Sequence, residues 1–215
     1  MKKPNLILMR HGQSYTNSGR NIDNEYQNIL TENGVMKTMR SARAFRKAFP
    51  EMHFDRCFCS PLPRAIQTNL NFLSAFDNRA IHIDYIPSFV ERSLGFDSYL
   101  KIEDMLRIYG QEAVDSWETD PAAVPANGKG ESLQAVYDRV IDAYETEVVP
   151  YLAKGETIMI VAHYYVLKVL QSYLEYGDCS KVQIFDPRNS QPYAYEVAYH
   201  DGEVITASAE LVASA

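Results

Sequence analysis

The sequence has little cysteine, and its cysteines are poorly arranged for cross-linking or for binding a metal. The three residues are Cys57, Cys59 and Cys179. Their number is odd, and the C-x-C pair has no second cluster that would complete a zinc site, so neither a disulfide framework nor a metal is expected. Cys57 and Cys59 would face the same side of a strand. We interpret them as buried thiols, because free cysteine is among the most buried residue types; metal or redox work is the alternative.

Long apolar runs are also missing. The run from Leu6 to Met9 stops at Arg10, far short of a signal-peptide core or of the ~20 residues that cross a bilayer. We therefore expect a soluble, cytoplasmic protein that has no membrane partner.

Positive charge is in deficit. The chain has 21 Lys and Arg against 28 Asp and Glu, a formal net charge of -7. The field of such a protein repels polyanions, so nucleic acid is not expected as a partner. An anionic substrate would require a local cluster of cations that overcomes this background.

The remaining composition is that of an ordinary globular protein. The 215 residues are 46% apolar and 23% charged, which predicts one domain over residues 1–215. Strand-like and helix-like apolar patterns alternate along the chain. The predicted strands lie at 6–9, 54–59, 81–85 and 157–162; the predicted helices at 31–50, 63–76, 133–150 and 163–176; and a predicted hairpin at 193–206. This order predicts an α/β three-layer sandwich with a mainly parallel central sheet and an antiparallel edge hairpin.

The stretch from Tyr85 to Gly130 does not fit the alternation. Aromatic side chains stand there among short helical pieces: Phe89, Phe96, Tyr99, Tyr109 and Trp117. We interpret this stretch as a helical insertion over the carboxyl end of the sheet, a lid that shapes substrate choice. A plain loop is the alternative.

Cationic and protonatable residues follow three of the predicted strands. Arg10 and His11 follow the first, Arg64 the second, and His163 the last. Ligands of open α/β sheets bind at the carboxyl ends of the strands, so these four side chains are expected to form one anion site. Arginine forks suit phosphate oxygens, and a neutral imidazole can attack phosphorus. The set therefore predicts phosphoryl transfer through a histidine.

Five segments of the sequence carry a resemblance to a known family. They are Leu8-Met9-Arg10-His11-Gly12-Gln13-Ser14 with Asn17, Leu30-Thr31-Glu32-Asn33-Gly34, Ser60-Pro61-Leu62-Pro63-Arg64-Ala65-Ile66-Gln67-Thr68, Gly130-Glu131-Ser132-Leu133, and Ile160-Val161-Ala162-His163. In this order they resemble the histidine phosphatase superfamily, in its phosphoglycerate mutase-like branch. The matching segments run from residue 6 to about 170.

The resemblance implies roles for particular residues. It makes His11 the nucleophile, places Arg10, Arg64 and His163 around the phosphate, and puts Asn17 at the rim. The segment Val90-Glu91-Arg92-Ser93-Leu94-Gly95 resembles the one that carries the proton donor, which points to Glu91, with Asp97 in reserve and a surface Glu91-Arg92 pair as the alternative. Gln13, Ser14 and Tyr164 are further candidate substrate contacts.

The insertion departs from the mutases of this family, which carry extra basic residues there. Between Tyr85 and Gly130 the acidic residues number eight (Glu91, Asp97, Glu103, Asp104, Glu112, Asp115, Glu118, Asp120) and the basic ones four (Arg92, Lys101, Arg107, Lys129). A lid with an excess of four negative charges is poorly suited to a bisphosphate. We therefore expect hydrolysis by a metal-independent phosphomonoesterase that needs no cofactor.

Tyr164 and Tyr165, directly after His163, are a second departure, because many relatives have a small residue at the first of these positions. Tyr164 could narrow the pocket, stack on a substrate, or simply begin the helix and pack. An aromatic leaving-group pocket with Phe96, Tyr99 and Trp117 is conceivable, and a structural aromatic cluster is the favoured alternative.

Other functions remain open at this point. A phosphomutase primed by a bisphosphate is the main alternative, and a non-catalytic phosphate-binding module is a further one. A metal-dependent hydrolase is disfavoured because no Asp or Glu accompanies the histidines at ligand-like spacing. The expected partner is a small phosphorylated substrate, and the closing hairpin offers an exposed edge that could support a homodimer.

Overall fold

A six-stranded mixed sheet forms the centre of the protein. In this computed structural model, which describes residues 4–19, 27–76, 81–95, 102–124, 129–200 and 203–211, the strands lie in the order β3-β2-β4-β1-β5-β6. Their bounds are β1 Leu6–Arg10, β2 Arg56–Cys59, β3 His82–Tyr85, β4 Ile158–Ala162, β5 Pro192–His200 and β6 Glu203–Leu211. The first four are mutually parallel, and β5 and β6 form an antiparallel hairpin at one edge. The predicted fold class is confirmed.

Helices cover both faces of this sheet. They are α1 Glu32–Ala48, α2 Pro63–Leu73, α3 Ile102–Tyr109, α4 Gln111–Thr119, α5 Leu133–Ala143, α6 Val149–Leu152 and α7 Tyr164–Tyr176. Side chains of α1 and α2 share one buried cluster with one face of the sheet, and side chains of α5 and α7 share another with the opposite face. The sheet is therefore the middle of three layers.

The buried positions of the central strands are apolar on both sides because both faces of the sheet are covered. In β1, Leu6 and Leu8 enter the cluster on the α5 and α7 side, whereas Ile7 and Met9 enter the cluster on the α1 and α2 side. All four side chains are fully buried. This two-residue alternation explains why a short unbroken apolar run predicted a buried parallel strand.

Helix α1 begins where its sequence predicts and packs unusually close to the loop after β1. The Thr31 hydroxyl caps the helix by accepting from the Gly34 N–H at 3.0 Å. A Cβ on Gly34 would collide with the Gln13 carbonyl oxygen, and one on Gly12 would lie 2.8 Å from Thr38 Oγ1. Two glycines thus allow the helix to touch the loop that carries His11.

We expect Gly34→Ala to destabilise the fold by at least about 2 kcal/mol, because the added methyl group overpacks a rigid backbone contact. Denaturant unfolding followed by circular dichroism measures the change. Met36→Ala is the matched control, since this neighbouring side chain is exposed and should change stability by no more than about 0.5 kcal/mol. Equal stability of the two variants would contradict the close packing.

Several predicted boundaries are wrong, and the largest error is in the hairpin, whose second strand ends at Leu211 rather than at residue 206. β2 begins at Arg56 rather than at residue 54, and α2 ends at Leu73 rather than at residue 76. The helix expected to stop at Pro150 runs through it to Leu152, with a π-helical turn over Tyr144–Val148. Proline lacks an N–H and clashes with the carbonyl four residues earlier, and the wider turn accommodates both effects.

The insertion has a small core of its own. Met105, Val114 and Trp117 are buried together, and Trp117 packs edge-on against Tyr109 with ring centroids 5.4 Å apart. This contact is what the alternative of a structural aromatic cluster predicts. Phe89, which the sequence also places in the insertion, is instead part of the main core. Phe96, Asp97 and Tyr99 lie outside the described residues.

The cysteines of β2 lie in the main core. Cys57 and Cys59 are fully buried in the cluster beneath α1 and α2, as expected for a same-side pair. Burial raises the pKa of both thiols, so they are held in the protonated, unreactive form.

Among the helices within the described residues, none combines the length and apolar character that a membrane crossing requires.

Candidate active site

Three adjacent strands, β2, β4 and β1, end at the same edge of the sheet and carry the predicted site residues there. Arg10 ends β1 beside Ala162, the last residue of β4, and β2 ends one position earlier in register. His11 and His163 follow these ends directly, and Arg64 lies in the first turn of α2. The anion site predicted from strand ends is therefore assembled in one place.

His11 is buried and its tautomer is set by the backbone. Its Nδ1 lies 2.7 Å from the Gly12 carbonyl oxygen, which can only accept, so Nδ1 carries the proton and Nε2 keeps its lone pair. Burial, followed by the charges of Arg64 and Arg10, lowers the pKa of His11 well below its ordinary value. The imidazole is thus neutral and nucleophilic at physiological pH.

His163 packs against His11, with ring centroids 5.1 Å apart. Its Nε2 lies 2.7 Å from the Ser60 hydroxyl oxygen, at the carboxyl end of β2. Burial, with Arg64 and His11 as further causes, lowers the pKa of this histidine well below its ordinary value as well. The site therefore contains two neutral imidazoles between two arginines.

The arginines supply the positive charge. Arg64 is almost fully buried, and its charge acts on the pKa values of His11, His163 and Glu91. Arg10 donates from Nη1 to the Pro187 carbonyl at 3.1 Å. Within the described part of the chain, the buried Arg10 Nε and His163 Nδ1 have no hydrogen-bond partner. A tetrahedral anion between these groups would meet charged donors that fit its oxygens.

Glu91 lies at the N-terminus of α7, half-buried among backbone donors. Its carboxylate accepts from the N–H groups of Arg92 at 2.9 Å, Tyr164 at 2.9 Å and Tyr165 at 3.1 Å. Burial raises the pKa of Glu91, while these hydrogen bonds and the charges of Arg10 and Arg64 oppose the rise. A carboxyl group with a raised pKa beside the phosphate pocket is suited to proton transfer. It is not a surface pair with Arg92, whose guanidinium points to backbone carbonyls.

A partly buried ion pair holds the Glu91 segment in place. Glu131 binds Arg139 at 2.7 Å and accepts from the Ser93 N–H at 2.8 Å. Arg139 also donates to the carbonyls of Ser88 and Glu91. The motif Gly130-Glu131-Ser132-Leu133 therefore positions the proposed acid, and Ser132 caps α5 by accepting from the Ala135 N–H.

The polar residues of the first motif divide between rim and scaffold. Asn17 is exposed, and its Oδ1 accepts from Ser14 Oγ at 3.2 Å and from Asn189 Nδ2 at 3.3 Å. Ser14 is buried in this contact. The Gln13 amide oxygen accepts from Thr31 and Asn33 at the start of α1. Binding of substrate by Gln13, Ser14 and Asn17 stays a prediction.

Sequence reasoning missed the segment before β5, which closes the site from the other end of the chain. Asn189 Nδ2 donates to the His11 carbonyl at 2.7 Å, and Ser190 donates its N–H to the Arg10 carbonyl at 3.1 Å. Ser190 adopts φ 62°, and its hydroxyl lies 2.8 Å from that of Thr38. No local sequence pattern predicts these contacts, because they depend on β5 pairing with β1.

Tyr164 lies against the cations of the site. Its ring centroid is 4.7 Å from Arg10 Cζ and 4.9 Å from Lys168 Nζ.

Taken together, the candidate site joins two guanidinium groups, two neutral imidazoles and one carboxyl group. It can bind a phosphoryl group, offer it a nucleophile and supply a proton. Within the described residues, no three His, Cys, Asp or Glu side chains gather as potential metal ligands.

Comparison with known proteins agrees with this geometry. Residues 6–208 match the model of the histidine phosphatase superfamily (branch 1). The chain belongs to this superfamily, which is the family that the motifs indicate.

Relatives of known name are similar over nearly the whole chain. A 2,3-bisphosphoglycerate-dependent phosphoglycerate mutase of Parvibaculum lavamentivorans is 30% identical over 202 residues, covering 94% of each chain. One of Cytophaga hutchinsonii is 30% identical over 194 residues, 90% of this chain and 87% of that one.

Solved structures share the fold. A putative alpha-ribazole-5'-P phosphatase from Escherichia coli superposes with a TM-score of 0.73 at 21% identity, covering 98% of this chain and 96% of that one. A mycobacterial glucosyl-3-phosphoglycerate phosphatase superposes with a TM-score of 0.76 at 20% identity, covering 98% and 99%. The chain is thus similar in sequence to these mutases, and it shares its fold with these two solved structures.

Proposed function

We propose that this protein is a phosphatase that hydrolyses phosphomonoesters through a phosphohistidine on His11, with Glu91 as proton donor. The observation that carries the proposal is the His11 tautomer, in which the Gly12 carbonyl takes the Nδ1 proton and leaves Nε2 as a nucleophile. A binding module without catalysis would have no use for this arrangement beside a carboxyl group of raised pKa.

The reaction proceeds in two displacements. His11 Nε2 attacks phosphorus, the bond to the ester oxygen breaks, and Glu91 gives its proton to the departing oxygen. Glu91, now ionised, then takes a proton from water as the water oxygen attacks the phosphohistidine, releasing phosphate and free His11. Arg10 and Arg64 stabilise the charge on the phosphoryl oxygens in both steps. Because these arginines supply the positive charge, the reaction requires no metal.

A phosphoglycerate mutase-like activity is the second candidate, favoured by the names of the relatives at 30% identity. The contacts of two of the four basic residues of the insertion support hydrolysis instead. Arg92 is buried and donates to the carbonyls of Glu131 and Trp117, while Arg107 pairs with Asp104 at 3.0 Å. Neither is presented as a clamp for a second phosphate.

The fate of the phosphoryl group tests the proposal. We expect a panel of phosphomonoesters, assayed in ¹⁸O-water with EDTA present, to release inorganic phosphate that carries one ¹⁸O atom. With 3-phosphoglycerate and catalytic 2,3-bisphosphoglycerate, release of phosphate should exceed formation of 2-phosphoglycerate. Isomerisation that is faster than the hydrolysis of every panel member would establish the mutase instead.

A further inference from the structure

Tyr164 stands between two cations on the first turn of α7. Its ring centroid is 4.7 Å from Arg10 Cζ and 4.9 Å from Lys168 Nζ. Lys168 follows Tyr164 by four residues, so both side chains lie on one face of the helix. The ring therefore links the phosphate-binding arginine to a lysine that the proposed reaction does not use.

Lys168 is buried, with an exposed fraction of 3%. Its Nζ lies 5.8 Å from the centroid of the Tyr165 ring, and Arg92 Cζ lies 5.0 Å from that same ring. Two tyrosine rings thus alternate with three cations from β1, α7 and the Glu91 segment. Attraction between a cation and an aromatic face is stronger when the cation is desolvated, as Lys168 is.

Few hydrogen bonds among the described residues orient Arg10, and the charges of Glu91 and Asp186 also act on it. Nη1 donates to the Pro187 carbonyl at 3.1 Å, and the Tyr164 ring lies against the guanidinium. Nε is buried without a hydrogen-bond partner among the described residues. A long arginine side chain that had only one hydrogen bond would sample several rotamers, and an aromatic face beside its plane removes that freedom.

We propose that Tyr164 is a positioning residue that orients Arg10 toward the phosphoryl group, with Lys168 holding the ring from within α7. The inference rests on the proposed function in one respect, the role of Arg10 as a phosphate ligand. In this proposal the Tyr164 ring contacts the protein's own cations and not the leaving group of a substrate. Its loss should therefore lower kcat/KM by the same factor for every phosphomonoester.

Substitution of the ring tests this role. Tyr164→Leu removes the aromatic face, and Tyr164→Phe keeps it. We expect the Leu variant to bind inorganic phosphate about 5- to 30-fold more weakly, the range that a desolvated cation–π contact produces. The Phe variant should stay within about 2-fold of the parent. Calorimetric titration of phosphate measures this without turnover, so its outcome is independent of whether the protein is a phosphatase or a mutase.

Turnover then distinguishes positioning from stacking. Aryl and alkyl phosphates should lose kcat/KM by the same factor in Tyr164→Leu. A loss confined to aryl phosphates would assign the ring to the leaving group and overturn the proposal. Unchanged phosphate affinity in the Leu variant would also overturn it, because the ring would then only pack.

Two further variants guard against trivial effects. Tyr176→Leu lies at the other end of α7, where the side chain is half exposed, and should leave phosphate affinity unchanged. Should Tyr164→Leu fail to fold, Tyr164→Met removes the ring while keeping an unbranched, strong helix former. The expected weakening of phosphate binding is the same.

Discussion

Replacing His11 by alanine should lower the turnover of a small aryl phosphate by at least about 10⁴-fold, because the covalent route through its Nε2 is lost. The fold should persist, since the hydrogen bonds that the His11 backbone makes with Asn189 and Ala162 do not involve the imidazole and are kept. Initial rates and thermal unfolding of the purified variant measure the two effects.

The matched control is His53→Ala, which removes an exposed histidine and should retain full turnover. His53 precedes the amino end of β2, whereas His11 lies at the carboxyl ends of the strands. A rapid acid-free quench with labelled substrate should trap a phosphohistidine in the parent protein and none in His11→Ala. Residual turnover above about one-hundredth of the parent rate would contradict a nucleophilic role for His11.

Glu91→Gln should separate substrates by their leaving groups. The glutamine amide oxygen can still accept from the N–H groups of Arg92 and Tyr165, which bind the same oxygen of Glu91, so the fold is kept while the transferable proton is lost. We expect alkyl phosphates, whose oxygen departs poorly without a proton, to lose about 10²- to 10⁴-fold in kcat. Aryl phosphates, which depart readily as phenolates, should lose about 10-fold or less. Steady-state kinetics on both series measure the difference.

The pH profile has a definite sign. The donor must be protonated, and burial raises the pKa of Glu91, so turnover of alkyl phosphates should fall as pH rises through that raised value. The His11 pKa is lowered well below its ordinary value, so loss of the nucleophile on acidification should begin below the usual histidine range.

In Glu91→Gln the fall at higher pH should disappear, and Glu51→Gln, at an exposed position, should keep it. Equal losses for aryl and alkyl phosphates, or a fall that persists in the Gln variant, would assign the proton to another group.

The fold could be predicted because its determinants are local. An unbroken apolar run predicted β1, Thr31 predicted the start of α1, and Gly177, with φ 81°, predicted the end of α7. Each signal acts within a few residues of the feature it specifies. The errors fell where competing local effects meet, as at Pro150.

The residues at the centre of the candidate site could be placed from the sequence, whereas the residues that hold them in position could not. The ends of parallel strands converge on one edge, so the sequence alone places Arg10, His11, Arg64 and His163 together. Ser60, Asn189 and Ser190 could not be assigned roles, because their contacts depend on which strands neighbour one another. Gln13 lies inside the first motif, yet its amide oxygen accepts a hydrogen bond from Thr31 at the start of α1. Membership of the motif alone therefore does not distinguish a substrate contact from a contact within the scaffold.

The central place of β1 in the sheet also constrains the order in which the protein can be made and assembled. This strand leaves the ribosome before its partners β4 and β5, and the Pro187 carbonyl that binds Arg10 lies 177 residues further along the chain. Such distant pairings form late and slow the folding of a chain. The loop that carries His11 therefore remains unassembled until β5 has been translated, and a nascent chain that ends before β5 should have no turnover.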